Sequence, residues 1–492
     1  MRNDGIRNTH YAMHDWLNKR TLILGAARQG TALARYLVGQ GAKVVLSDAQ
    51  PAEKLKDALE SLRDLKIEYA LGGHPNSLLD NADVVCLSGG VPIDLPILVE
   101  AARRNITLSN DSQIFFEIVP CKTVGITGSA GKTTTTTLTW LIANSRFAWR
   151  MAGSQWQLAD SGATPDTQYA IRDTPSAIRR VWLGGNIGNP LIADVDRMGE
   201  DDLAIVELSS FQLEQMTVSP NISAVLNITP NHLDRHGTME AYINAKSHIV
   251  AYQTPEDIAV LGWDDENARA LQKIVRGKLW WFSQTCAENF GTHTRDGKIF
   301  LRDGEREQMV CNVSEIRLRG AHNVLNVLAA CALTGAAGIK PEAMREAIAN
   351  FNGVAHRLEF VREVRGAKWY NDSIATAPER VIAEIHSFDE PLIVLLGERD
   401  KKLPWGDLLR LLRDRNAKVF VFGEAGELIA KYAAQENLQV TMCSKMADAI
   451  AAAARITQSG DVVLLSPGCT SFDEFKDFEE RGKKFVEMVN QL

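Results

Sequence analysis

The residues best equipped for chemistry stand in one run: Gly125-Ile126-Thr127-Gly128-Ser129-Ala130-Gly131-Lys132-Thr133-Thr134. Glycines let backbone N–H groups close around phosphate oxygens, a following helix N-terminus adds positive potential, and Lys132 can reach terminal phosphates. The Thr133 hydroxyl suits a magnesium ion. The usual phosphate loop carries glycine where Ile126 stands, so this is a shortened relative of it. An ordinary glycine turn before a helix is the competing explanation. The apolar run before the loop and the Gly-Lys-Thr at its tip favour phosphate.

Glu207 closes the apolar run LAIVE. A carboxylate at the carboxyl end of a buried parallel strand faces the crevice where open α/β sheets bind ligands. Taken alone it would be a solvated strand-end acid; beside a phosphate loop it is a natural magnesium ligand. NHLDRH, Asn231 to His236, follows another apolar run, AVLNITP. His232 lies nearer the strand end and is the better metal candidate, whereas His236 is expected to be a structural hydrogen-bonder. Lys246, in AYINAKSHIV, is by composition a surface lysine.

Near the N-terminus, Gly25-Ala26-Ala27-Arg28-Gln29-Gly30 follows a strand-like run, and Asp48 closes the next. This imitates a dinucleotide fingerprint, but Ala27 replaces its middle glycine and its methyl would crowd a pyrophosphate. A nucleotide held through base and ribose, with Asp48 as acceptor, is the alternative to a NAD-linked oxidoreductase site. Towards the C-terminus, Asn371-Asp372-Ser373, Lys401 in GERDKK, and the run from Ser466 through Ser471 and Phe472 each follow a strand-like run. Each could be turn chemistry; together they describe one polar rim on a Rossmann-like sheet.

These groups need strands that end in loops, and the chain supplies them. TLILG, KVVLSD, KTVGIT, LAIVE, PLIVLLGE, KVFVFGE and DVVLLSPG are short apolar runs separated by amphipathic stretches, the pattern of buried parallel strands and helices. ENFGTHTRDGKIFLRDG reads as a hairpin. The expected fold is α/β in three domains. Residues 1–119 form a Rossmann-like domain, 120–353 a central P-loop ATPase-type domain with a mainly parallel sheet, and 354–492 a second Rossmann-like domain. The segment from Ser145 to Trp182 is polar and reads as an excursion over the active site.

Composition narrows the classes. The 492 residues are 45% hydrophobic and 23% charged, an ordinary globular mixture. A net charge of −7 argues against a broad nucleic-acid footprint. The first residues, MRNDGIRNTHYAMHDW, contain no apolar signal region, and no stretch is apolar for the ~20 residues of a membrane helix. Seven scattered cysteines without a CxxC pair read as reduced thiols. A cytoplasmic protein without membrane insertion is expected.

With these residues assembled, the chain resembles the Mur ligases, in particular their D-glutamate-adding branch. The matching pieces are GSAGKTTTT, GGNIGNP, VELSSFQLE, NITPNHLDRH, YINAKSHI, GAHNVLNVLAA, HRLE, YNDSIATAPE and LLSPGCTSFDEFKDFEERG. The resemblance implies a monomeric ligase that works on small molecules. It would join D-glutamate to UDP-N-acetylmuramoyl-L-alanine at the expense of ATP, by way of an acyl phosphate, in peptidoglycan synthesis. It implies that Gly128 to Thr134, with Asn326, Arg357 and Asp372, bind ATP. Thr133, Glu207, His232 and a carbamylated Lys246 would serve two magnesium ions, and Lys132 would act on the transferred phosphoryl group. Ala27, Arg28, Gln29, Gly30, Asp48, Ser88, Gly89, Gly90 and Asn186 would hold the UDP-linked substrate. Lys401, Ser471, Phe472 and Phe478 would frame D-glutamate. The chain departs from the family at Ala130, at Ile374 and across Glu398-Arg399-Asp400-Lys401. The rival readings are another Mur or folylpolyglutamate-type ligase and a catalytically idle ATP-binding scaffold.

Overall fold

The computed structural model of the chain describes residues 15–152, 155–158, 178–401 and 403–492. Residues 159–177, most of the expected excursion after Ser145, lie outside them. The β-branched and leucine-rich runs form three main sheets, as such runs do when both faces are covered. In the first, five parallel strands stand in the order Ile67–Leu71, Lys43–Asp48, Arg20–Leu24, Val84–Leu87, Thr107–Ser109.

The second sheet has nine strands. Lys122–Thr127 lies between Leu203–Glu207 and Ile222–Val225, all parallel, so the loop after it opens at the middle of a sheet edge. Beyond Ile258–Gly262, Lys278–Ser283 and Phe290–Arg295 the sheet turns antiparallel through Lys298–Asp303 and Arg306–Asn312. The turn between Arg295 and Lys298 is Asp296-Gly297 with φ of +50° and +68°, the conformation a two-residue hairpin loop needs. The third sheet orders Glu359–Val364, Ala367–Asn371, Val462–Leu465, Leu392–Gly397, Lys418–Phe422, Val440–Met442, and only its first pair is antiparallel.

The chain forms two compact units: the residues up to Glu315 with Leu325–Ile348, and Ile316–Val324 with Ala349–Leu492. The first two sheets share the first unit. A continuous apolar cluster takes in Ile23, Leu33 and Leu46 from one sheet layer and Ala204, Val206 and Leu213 from the other. A buried polar seam reinforces it. Asn110 Nδ2 donates to the Gln212 carbonyl (2.9 Å), Gln212 Nε2 to Ser112 Oγ (2.8 Å), and the Thr217 N–H to Gln113 Oε1 (2.8 Å). Gln212 also closes the capping box of the short helix Ser210–Leu213. Among the described residues no helix is long and apolar enough to cross a membrane.

Candidate active site

The strand Lys122–Thr127 delivers the loop Gly128–Gly131 to the N-terminus of the helix Lys132–Ala148. Gly125 and Ile126 belong to the strand, and Ile126 is fully buried, so the phosphate loop proper begins at Gly128. Gly131 sits at φ +82°, and a Cβ there would lie 2.2 Å from Asn326 Oδ1, so no other residue fits. Asn326 is itself buried against the loop. The loop is held from the far side by residues after the strand Ile222–Val225. Asn227 Oδ1 accepts from the Ala130 N–H (2.9 Å) while its Nδ2 donates to the Ala130 carbonyl (3.1 Å). Ser129 Oγ donates to the Thr229 carbonyl (2.9 Å) and lies 3.0 Å from the Tyr242 hydroxyl. Sequence reasoning passed over Asn227; its one signal was an asparagine directly after a strand beside the loop.

Two lysines meet on one carbonyl. Lys132 Nζ donates to the Gly128 carbonyl at 2.8 Å, and Lys246 Nζ donates to the same oxygen at 3.0 Å and to Thr127 Oγ1 at 3.2 Å. Lys246 is far from a surface lysine: it is 1% exposed, in the helix Met239–Ala251, with Tyr242 beside its ammonium. Burial drives its pKa well below the ordinary lysine value, Lys132 pushes the same way, and Glu207 opposes them.

Glu207 ends its strand opposite Ile126 and is 1% exposed. Its Oε1 accepts from Asn186 Nδ2 at 2.9 Å, and the Asn186 N–H donates to the Glu207 carbonyl at 2.8 Å. Its Oε2 is buried without a hydrogen-bond partner among the described residues, the mark of a carboxylate awaiting a ligand. Thr133 is half-buried and Thr134 buried at the start of the helix. His232 is exposed, at φ +53°, with its ring edge-on to Phe211 (5.1 Å). His236 stacks on Phe211 and lies 3.0 Å from Ser210 Oγ, which is structural work. Among the described residues no three carboxylate, imidazole or thiol groups converge as a ready-made metal cage.

The N-terminal candidates form a braced turn. Gly30, in the first turn of the helix Arg28–Gly39, lies so close to the strand that a Cβ would stand 1.9 Å from the Gly25 carbonyl. Asp48 accepts from the Ala26 N–H (2.7 Å) and the Gln50 N–H (2.8 Å), so its first task is to hold the glycine turn. Gln29 Oε1 accepts from the Gly89 N–H (2.9 Å), and Ser88 Oγ donates to the Gly25 carbonyl (3.0 Å). Ala27 and Arg28 are exposed, and Arg28 donates to the Gly188 carbonyl (3.1 Å). Ser88 and Gly89 line a cleft with Asn110, Phe211, Gln212 and Arg235. Arg235 lies 4.2 Å over the Phe211 ring and donates to the Val91 carbonyl and, at 3.5 Å, to the Gly90 carbonyl.

In the second unit, Asp372 is fully buried. Its Oδ2 accepts from Ser466 Oγ (2.7 Å), and burial, with Glu384 adding to it, holds its carboxyl well above the usual range. Asn371 Nδ2 faces Glu359 Oε2 and His356 Nδ1, each at 2.9 Å. Arg357 Nε is buried with no partner among the described residues. Lys401 Nζ donates to Thr376 Oγ1 (2.9 Å). Ser471 is buried, and Phe472 is 61% exposed. The cap of the helix Phe478–Asn490 is Asp477. Phe478 is half-buried with its ring edge-on to His356.

Three family models match the chain: the Mur ligase MurD-like N-terminal domain at residues 19–109, the Mur ligase middle domain at 126–334, and the Mur ligase glutamate ligase domain at 356–469. A UDP-N-acetylmuramoylalanine–D-glutamate ligase of Pelotomaculum thermopropionicum is 37% identical, over 98% of this chain and 99% of its own. The enzyme of that name from Acetivibrio thermocellus is 35% identical, over 96% and 97%. Among solved structures, the UDP-N-acetylmuramate–alanine ligase MurC of Thermotoga maritima superposes with a TM-score of 0.54 at 18% identity, over 96% of this chain and 99% of its own. MurF ligase of the same organism in complex with ADP gives 0.52 at 17%, over 97% and 98%. These two likenesses are of fold.

Asn227→Ala should remove both side-chain bonds to Ala130 and weaken nucleoside triphosphate binding about tenfold, or ~1.4 kcal/mol. Titration calorimetry checks this; an unchanged dissociation constant would show that the clamp does not shape the loop.

Proposed function

The chain belongs to the Mur ligase family, and on that premise we propose that it joins D-glutamate to UDP-N-acetylmuramoyl-L-alanine with hydrolysis of ATP. The observation that carries this reading is the phosphate loop with Lys132 and Lys246 on one carbonyl beside the orphaned Glu207 oxygen. Full-length identity of 37% and 35% to ligases of that specificity supports the choice of amino acid. The seven cysteines are unpaired, which fits a cytoplasmic step in peptidoglycan precursor synthesis. The enzyme is taken to act as a monomer.

ATP phosphates lie along Gly128, Ser129, Ala130, Gly131, Lys132, Thr133 and Thr134, with Asn326 behind the loop. Arg357 and Asp372 serve the nucleoside end. The UDP-linked substrate is held by Ala27, Arg28, Gln29, Gly30, Asp48, Ser88, Gly89 and Gly90, and Asn186 steadies its acyl end. Lys401 and Ser471 take the two carboxylates of D-glutamate, and Phe472 and Phe478 wall the pocket.

The substrate carboxylate attacks the γ-phosphorus, the bond to the bridging oxygen breaks, and ADP leaves an acyl phosphate. Lys132 neutralises charge that grows on the phosphoryl oxygens, an interaction strongest in the transition state. The neutral amine of D-glutamate then attacks the acyl carbon, the C–O bond to phosphate breaks, and inorganic phosphate leaves as the nitrogen gives up a proton.

The buried Glu207 oxygen and the Thr133 hydroxyl fit magnesium, which keeps several waters and takes one or two protein oxygens plus phosphates. His232 would join Glu207 in holding magnesium, and a modified Lys246 would serve a second ion. Bound magnesium supplies charge neutralisation on the phosphates. Burial favours the neutral amine of Lys246, the form that adds carbon dioxide: R–NH2 + CO2 gives R–NH–COO⁻ + H⁺. That reaction replaces a buried neutral amine with an anion.

Phosphate release should be measured with UDP-N-acetylmuramoyl-L-alanine and a panel of amino acids. D-glutamate should be the preferred acceptor, and Lys132→Ala should lower kcat on the order of 10²–10³-fold while the protein stays folded. Preference for L-alanine or a diamino acid, or a folded Lys132→Ala enzyme of normal rate, would overturn the assignment. For Lys246, carbon-13 NMR in labelled bicarbonate should give a carbamate resonance from wild type and none from Lys246→Ala. A spectrum without that resonance would sink the carbamate.

A further inference from the structure

Three loops of the third sheet converge on one arginine. Arg481, in the helix Phe478–Asn490, has a fully buried side chain. Its Nε donates to Ser373 Oγ (2.9 Å), its Nη2 to the Ser373 carbonyl (2.7 Å), and its Nη1 to the Cys469 carbonyl (3.2 Å) and to Glu398 Oε2. Ser373 follows the strand Ala367–Asn371, Glu398 follows Leu392–Gly397, and Cys469 follows Val462–Leu465. A planar guanidinium can serve several acceptors in fixed directions, which a lysine cannot.

Glu398 is unusual on its own account. Its φ is +82°, a conformation that L residues with bulky side chains rarely hold, and its side chain is fully buried in an ion pair with Arg481. Its Oε1 finds no partner among the described residues. Burial lifts its carboxyl to about 8 while Arg481 pulls the other way, and Asp473 and Glu474 add to the rise. Strained backbone of this kind persists only where surrounding contacts over-determine it, and here Arg481 holds the side chain while the Glu398 N–H donates to the Phe422 carbonyl (3.0 Å) and its carbonyl accepts from the Ala425 N–H (2.6 Å).

The same loops carry the groups assigned to the amino acid. The Arg399 N–H donates to the Thr470 carbonyl and the Thr470 N–H to the Arg399 carbonyl, both at 3.0 Å. Thr470 Oγ1 adds a third bond to that carbonyl. Lys401 is two residues beyond this bridge and Ser471 one residue beyond it. Lys401 rests on Thr376, three residues after Ser373.

We propose that the buried Arg481–Glu398 pair is the positioning device of the amino-acid pocket, fixing the distance between the Lys401 ammonium and the Ser471 loop and thereby the length of dicarboxylic acid accepted. This rests on the assignment of Lys401 and Ser471 to the acceptor. Neither Arg481 nor Glu398 touches the substrate. They act through the three loops they join, and Glu398 does so by trading backbone strain for a tether that a smaller residue could not make.

The test is steady-state kinetics of full-length Glu398→Gln, which keeps the volume and replaces the carboxyl that faces Arg481 with an amide, and Arg481→Lys, which keeps the charge and removes the fork. In each, the KM for the amino acid should rise about tenfold or more, with the constants for ATP and the UDP-linked substrate within about twofold. The preference for D-glutamate over D-aspartate should shrink. A folded Glu398→Gln enzyme with unchanged amino-acid KM and unchanged preference would overturn the proposal. So would equal rises in all three constants, which would mean general loosening. If Arg481→Lys fails to fold, Glu398→Gln decides alone. Wild type is run against the amino-acid panel in parallel. Should it prefer another acid, the D-glutamate reading falls, and the pair is judged on the KM for that acid.

Discussion

The Gly128 carbonyl accepts hydrogen bonds from two lysine ammonium groups, and most of what surrounds it is arranged to make that tolerable. The two nitrogens are less than about 6 Å apart, because each lies within 3.0 Å of the same oxygen. At an effective dielectric of ~20, two full charges at that distance repel by about 3 kcal/mol. Burial adds to the penalty on Lys246, and its pKa falls accordingly. A polyphosphate entering the loop supplies the missing negative charge, and Glu207 stands nearby with one oxygen unsatisfied. A loop whose carbonyl gathers lysine nitrogens in this way is matched to an anionic ligand.

The scaffold answers that demand with long-range bonds. Asn227 grips both backbone groups of Ala130, and Asn326 fills the space where a side chain on Gly131 would stand. The seam through Gln212, Asn110 and Ser112 joins the first sheet to the second within one unit, so the Ser88–Gly90 rim and the phosphate loop belong to one packed body.

How much of this was legible depends on range. The phosphate loop could be read because strand, turn and helix are contiguous and each glycine has a local reason. The Asp296-Gly297 hairpin was equally local. Lys246 was misjudged by composition, since its burial is decided by a helix packing across the loop, a fact no neighbouring residue encodes. SSFQLE was legible as a family signature, but its glutamine turns out to bond Ser112, a hundred residues away. Asn227 was missed because its partner Ala130 is 97 residues distant, and Arg481 because Glu398 and Ser373 are 83 and 108 residues distant. Glu398 was visible only as a departure from a glycine-rich turn; that it is the tethered end of a buried ion pair needed coordinates.

In the proposed reaction the two-lysine loop serves transfer of a phosphoryl group onto a carboxylate. UDP-N-acetylmuramoyl-L-alanine carrying oxygen-18 in both carboxylate positions tests it directly, with the released inorganic phosphate analysed by mass spectrometry. An acyl phosphate passes the attacking carboxylate oxygen to phosphorus, so each phosphate should carry one labelled oxygen while the other stays in the amide. Release of unlabelled phosphate during product formation would rule out an acyl phosphate on this loop.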